Sequence, residues 1–167
     1  MNFHKALILF LTLYLSFPAI ANEYFDKGDA AYQEANYKTA ITWFNKAAEQ
    51  GVADAQYNLG LMYYNRQSSF QDVVNRIVPE LTMTDEGQII IQDYEESVKW
   101  WKKSSDQGHL DAQYSLGYLY EIGSGVPQDY KESVKWYRLA AEQGHSDSQY
   151  NLGVMYRDGL GVNQDYK

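Results

Sequence analysis

Gly108-His109-Leu110-Asp111-Ala112-Gln113-Tyr114-Ser115-Leu116-Gly117 returns 36 residues later as Gly144-His145-Ser146-Asp147-Ser148-Gln149-Tyr150-Asn151-Leu152-Gly153. An earlier copy, Asp54-Ala55-Gln56-Tyr57-Asn58-Leu59-Gly60, carries the same phrase, and Gln-Asp-Tyr begins at 92, 128 and 164. A fixed period of this length marks a repeat array. It has to be read before local secondary structure, because a unit of such an array buries its apolar surface on its neighbours.

Within one unit the spacing predicts two helices. Ala112, Leu116, Gly117 and Tyr120 recur at helical intervals, with small residues where a neighbouring backbone comes close. Ser133, Val134, Tyr137, Ala140 and Ala141 make a second stripe. Asp129 precedes that stripe with Glu132 three residues on, a capping-box arrangement, and Asp93 with Glu96 repeats it one unit earlier. Gly144 is placed to end the second helix in the left-handed conformation, as are Gly51 and Gly108. Gly123-Ser124-Gly125-Val126-Pro127 links the two helices of the unit.

Ala112, Leu116, Gly117, Tyr120, Gly123, Gly125, Val126, Asp129, Tyr130, Trp136, Tyr137, Ala140 and Ala141 together resemble the Sel-one-like repeat, a relative of the tetratricopeptide repeat. The resemblance covers a whole unit and recurs in register. It implies an all-α fold, a right-handed α-solenoid of stacked antiparallel helix pairs, that serves as a protein-interaction scaffold. Some cysteine-rich relatives in that repeat family bind or hydrolyse β-lactams, so the resemblance also supplies an alternative, a cell-envelope hydrolase or β-lactam-binding protein. The motif of that chemistry, a serine three residues before a lysine, occurs nowhere here, and the chain has no cysteine.

The chain opens with His4 and Lys5, an apolar run from Ala6 to Phe17, and Pro18-Ala19-Ile20-Ala21. This reads as a signal peptide over 1–21, cleaved after Ala21, and not as a membrane anchor: the run is 12 residues, and a span needs about 20. The expected location is periplasmic or secreted, as for an exported bacterial protein. From Asn22 onward the net charge is −9, since Lys5 is the only charged Lys, Arg, Asp or Glu removed. An acidic surface disfavours nucleic acid and anionic lipid. With no cysteine there are no disulfides, and packing alone must hold the chain.

The units follow in order. Residues 22–51 form a plainer tetratricopeptide-like pair, with Gly28, Ala31, Ala40, Phe44 and Ala47 at packing positions and a short turn at Glu34-Ala35-Asn36-Tyr37. Residues 52–107 form a unit with an insert at about 65–92. Tyr63 to Asp93 spans 30 positions where Tyr120 to Asp129 spans 9, so 21 are extra. The insert is expected to be a partly ordered excursion with a short helix near 70–77. Residues 108–143 are a full unit, and 144–167 an incomplete one whose first helix lacks an in-unit partner. The count is seven helices, three pairs and one unpaired, and the unpaired helix offers an edge for self-association. A self-assembling structural or regulatory module is therefore a further alternative.

Little in the sequence points to catalysis, a metal or a cofactor. His109 and His145 read as solvated loop residues after the capping glycines, without a second ligand at helical spacing. Gly123-Ser124-Gly125 and Gly159-Leu160-Gly161 lack the lysine and the preceding strand of a phosphate loop. Glu95-Glu96 lies on a helix's first turn, where it complements the dipole. Trp43, Trp100 and Trp136, with Trp101 beside the second, read as core. In tetratricopeptide-type arrays the first helices line a concave groove. Counted from Gly60, Gly117 and Gly153, its positions are Tyr57, Leu61 and Tyr64, then Tyr114, Tyr118 and Glu121, then Tyr150, Val154 and Arg157. Aromatic residues with few flexible charges suit a protein or peptide partner.

Overall fold

A computed structural model describes residues 19–77 and 86–162, with side chains for 19–65 and 94–162. Every regular element among them is helical: α1 over residues 19–33, α2 Tyr37–Glu49, α3 Ala53–Ile77, α4 Glu86–Ser105, α5 Leu110–Ile122, α6 Tyr130–Glu142 and α7 Ser146–Asp158. This is an all-α solenoid of antiparallel helix pairs. Residues 1–18, with most of the expected signal peptide, lie outside the described residues, and Ala19-Ile20-Ala21 continues into α1. The chain divides into two compact units, Met1–Gln56 and Tyr57–Lys167.

The first unit packs α1 on α2. Gly28 lies beneath the Phe44 ring, where a Cβ would come within 2.5 Å of Cδ1. Phe25 packs on Phe44 and Tyr24 on Trp43, each with ring centroids 5.7 Å apart, and Ala31, Ala40 and Ala47 are buried around them. The short turn has no glycine, so Ala35 itself takes the left-handed conformation, φ 56°. Asn36 then caps α2, its Oδ1 accepting from the Thr39 amide at 3.3 Å.

The second unit repeats that packing. Gly60 lies against the Trp101 ring and Gly117 against Tyr137, where a Cβ would stand 2.6 Å from Cδ1. Only glycine lets the first helix approach the ring this closely. Val98, Trp101, Ala112, Leu116, Leu119 and Trp136 form one buried cluster, and Val134, Tyr137 and Met155 a second. Gly153, at the matching position of α7, has nothing within 4 Å among the described residues, because no second helix is described beyond it.

Successive helix pairs meet at a joint that the sequence repeats three times. The second helix ends in glycine with positive φ, 90° at Gly51, 89° at Gly108 and 96° at Gly144. At the last joint the Gly144 amide donates to the Ala141 carbonyl and the His145 amide to Ala140, a Schellman closure. Gly51-Val52 and Gly108-His109 make the same two bonds. A glutamine from the next helix then donates its side-chain amide to the carbonyl that the glycine uses: Gln56 to Ala48 at 3.0 Å, Gln113 to Ser105 at 3.4 Å, Gln149 to Ala141 at 3.0 Å. One carbonyl has lone pairs for both donors, so the amide of the glycine and the glutamine side chain share it.

The histidines are not solvated loop residues, as the sequence had suggested. Each is the N-cap of the following helix. His109 Nδ1 accepts from the Ala112 amide at 3.3 Å, and His145 Nδ1 from the Ser148 amide at 3.1 Å. The expected cap at Asp129 is present, its Oδ1 accepting from Lys131 N and Glu132 N. The matching expectation at Asp93 fails: α4 already begins at Glu86, so Asp93 is no cap and Glu95-Glu96 lie in the helix interior, not on its first turn. Gly123 caps α5 with φ 73°. Gly125, φ 70°, lies so close to the Tyr94 backbone that any side chain would collide with it. Gly123-Ser124-Gly125 is part of the linker between α5 and α6.

The insert differs from expectation. It is absorbed largely by lengthening helices: α3 continues unbroken through Ile77 over 25 residues, and α4 already begins at Glu86 and runs for 20. Phe70, Val73, Val74 and Ile77 recur at i, i+3, i+4 and i+7, a helical interval that continues the pattern of α3. Residues 78–85 lie outside the described residues.

The glycine contacts predict opposite responses to one substitution. Gly60→Ala drives a methyl into the Trp101 ring and is expected to destabilise by about 1–3 kcal/mol, the usual cost of overpacking. Gly153→Ala meets no atom among the described residues and gains helix propensity, so it is expected to be neutral or stabilising by up to about 1 kcal/mol. Thermal melting of the two variants checks this, and equal effects would contradict the packing.

Candidate protein-interaction site

The first helices of the Tyr57–Lys167 unit border a cavity of about 360 Å³. Helix α3 contributes Tyr57, Leu61 and Tyr64, and α5 contributes Asp111, Tyr114, Ser115 and Tyr118. His145 and Asp147, at the start of α7, and Trp101 of α4 complete it. The intervals i, i+4, i+7 on α3 and i, i+3, i+4, i+7 on α5 each put one stripe of a helix on the cavity.

Most of its rings are held from behind. Tyr57 stacks on His109 at 4.6 Å and on Trp101 at 6.4 Å, and Trp101 Nε1 donates to the Tyr57 carbonyl at 3.1 Å. Tyr64 lies between Tyr94 and Trp101, both at 5.7 Å. Tyr114 lies between Tyr137 at 5.8 Å and His145 at 5.1 Å. His145 Nε2 donates to Asp111 Oδ1 at 3.2 Å, a tautomer fixed by its Nδ1 accepting at the cap. The cap of one repeat is thus tied to the first turn of the previous one. Tyr118 is the open member, 38% exposed.

Burial raises the pKa of Tyr57, and the Asp111 carboxylate adds to it. Burial likewise raises Tyr64 and Tyr94, reinforced by the neighbouring phenol of Tyr118. Tyr137, fully buried under α5, is pushed up furthest, by burial first and then by Glu121, whose Oε2 accepts its hydroxyl at 2.7 Å. The cavity is walled by phenol rings and bordered by the side chains of Asp111 and Asp147. Among the described residues no group of three or more His, Cys, Asp or Glu is placed to hold a metal.

Five of the nine groove positions read from the sequence line this cavity: Tyr57, Leu61, Tyr64, Tyr114 and Tyr118. The other four do not. Glu121 is engaged with Tyr137. Arg157 pairs with Asp158 through Nε at 2.7 Å. Tyr150 stands 73% exposed and Val154 half-buried on α7, beyond which no further first helix is described to close a cavity over them. Asp111, Ser115, His145, Asp147 and Trp101 were not anticipated. Their signal was the recurrence of Asp and His at fixed repeat positions.

The family profile described as Sel1 repeat matches residues 19–52, 53–74, 83–109, 110–145 and 146–167. The chain belongs to the Sel1 repeat family. The profile divides the second unit at the insert, and its fourth match follows α5, α6 and the joint at His145. A crystal structure of a Sel1 repeat protein from Oxalobacter formigenes is similar with a TM-score of 0.65 and 33% identity, over 87% of this chain and 51% of that one. A sel1-like repeat-containing protein of Acanthamoeba polyphaga mimivirus is 33% identical over 100 residues, 52% of this chain and 18% of its own length. A protective antigen of uropathogenic Escherichia coli with an SLR fold matches at 29% identity over 90% of this chain and 36% of that one, with a TM-score of 0.44. The chain spans about half the length of the Oxalobacter protein, and less of the others. Sel1 repeats form a scaffold generally used for protein–protein interaction, and the family is generally non-catalytic.

The raised tyrosines predict an alkaline transition. A phenol that keeps its proton in the fold stabilises it fully below the ordinary value of 10.0, and that stability is lost as pH rises from there toward the folded value. Melting temperature is expected to fall above about pH 10, with tyrosinate absorbance showing a late-ionising subset. Tyr137→Phe removes the largest contributor and is expected to flatten the pH dependence. All 16 tyrosines ionising together, with flat stability, would contradict the burial.

Proposed function

We propose that this Sel1 repeat chain is an exported, non-enzymatic scaffold that holds a protein or peptide against the tyrosine-lined face of its first helices. The carrying observation is the cavity itself, where tyrosines from the same position of two successive repeats, Tyr57 and Tyr114, stand beside the open ring of Tyr118. Rigid aromatic rings offer large contact area at little cost in conformational entropy, which suits recognition of a polypeptide. Export rests on the opening apolar run. No helix among the described residues is long and apolar enough to cross a membrane.

Tyr114 packs on Tyr137 and His145, so its removal would disturb the fold. Tyr118 is the cleaner probe. With the chain from Asn22 onward as bait in an envelope-fraction pull-down, Tyr118→Ala is expected to weaken the captured partner by about 2 kcal/mol, the size of an interface hot spot, with little change in melting. The control Lys131→Ala with Lys135→Ala, on α6, is expected to bind as the parent does. Unchanged binding by Tyr118→Ala would move the site elsewhere, and a partner found only in the cytosol would overturn export.

A further inference from the structure

The cavity has a charge and a shape that single out one kind of side chain. Its two carboxyl side chains are Asp111 and Asp147, one repeat apart on the first turns of α5 and α7, and among the described residues no Lys or Arg lines it. The helix dipole accounts for an acidic residue on a first turn. It does not account for both carboxylates bordering the same ring-lined space. Asp111 has the His145 imidazole as a partner, and Asp147 has no ion-pair partner among the described residues.

Elsewhere in the described residues three tryptophan rings are covered by the chain's own cations. Lys46 Nζ lies 4.2 Å over the Trp43 ring, Lys103 Nζ 4.2 Å over Trp100, and Lys135 Nζ 5.3 Å over Trp136. Among the described residues, none of the rings lining the cavity is covered in this way. A wall of phenol rings with carboxylates at its border, and no cation among the described residues that line it, has the chemistry of a site for an external one.

Building on the scaffold reading, we propose that the cavity receives an arginine side chain of the bound polypeptide, with the guanidinium lying against Tyr118 and Tyr114 and held by Asp111 and Asp147. The planar, weakly hydrated guanidinium stacks on aromatic faces and offers a fork of donors to carboxylates, whereas an ammonium is a compact, strongly hydrated point charge. At about 360 Å³ the cavity has room for one long side chain and water, and none for a folded element. The acidic balance of the whole chain, −8, draws basic segments toward it.

The test uses two probes on the intact fold, acetyl-Gly-Arg-Gly-amide and its citrulline counterpart, which keeps the shape and removes the charge. Backbone amide shifts of Tyr114, Ser115 and Tyr118 report occupancy. The arginine probe is expected to bind about tenfold or more tightly than the citrulline probe. Asp111→Asn with Asp147→Asn is expected to abolish that preference without unfolding, since the remaining amide oxygen of Asp111→Asn can still accept from His145. Equal binding of the two probes, or a preference that survives the double substitution, overturns the inference. If neither probe moves these amides but a peptide selected from a random library does, arginine recognition fails and the scaffold reading stands. If no library peptide moves them, both fail.

Discussion

The contact on which the rest depends is a glycine lying flat against an aromatic ring. It occurs between Gly28 and Phe44, Gly60 and Trp101, and Gly117 and Tyr137. Each brings a first helix against its second helix at a distance no other residue allows. The contact also fixes the rotation of the first helix. Once Gly117 faces Tyr137, Tyr114 lies between that ring and His145, and Tyr118, the next residue after Gly117, is turned to the cavity. The tyrosine-lined face is therefore a consequence of core packing and needs no separate device.

The joints between repeats do the complementary work. Glycine ends one helix, the next residue begins another, and a glutamine from that second helix returns to the closing carbonyl. Where that next residue is histidine, its ring caps the new helix and packs on a cavity tyrosine, His109 on Tyr57 and His145 on Tyr114. At Gly108 and Gly144 the joint thus sets the offset between successive repeats of the Tyr57–Lys167 unit and braces the cavity rings from one side. Structural closure and site geometry share the same residues, so substitutions at the joint are expected to act on both.

Local chemistry was legible in the sequence, and cross-repeat chemistry was not. The period placed the helix pairs, Asp129 announced its cap, and Gly51, Gly108 and Gly144 announced the helix ends, because each acts within a few residues of itself. The histidine caps were missed because imidazole is not among the residues that usually cap helices. The lengthened helices of the insert were missed although Phe70, Val73, Val74 and Ile77 keep the helical interval. The unbroken run Ile89-Ile90-Ile91, which shows no period, obscured it. Tyr57, Tyr64, Tyr114 and Tyr118 were found by counting along single helices. Asp111 and Asp147 were not, since their meeting at one cavity depends on how one repeat stacks on the next. Tyr150 and Arg157 were included by the same counting, on a helix where no further first helix is described to close the space.

The most direct measurement of the central contact is a double-mutant cycle between Gly117 and Tyr137. Gly117→Ala, Tyr137→Leu and the double variant are compared by denaturant unfolding. If the ring is what forbids a side chain at 117, alanine is costly beneath tyrosine and cheap beneath leucine, giving a coupling of about 1 kcal/mol or more. Additive costs within about 0.5 kcal/mol would mean that the two residues do not meet, and that the face carrying Tyr114 and Tyr118 is set by something else.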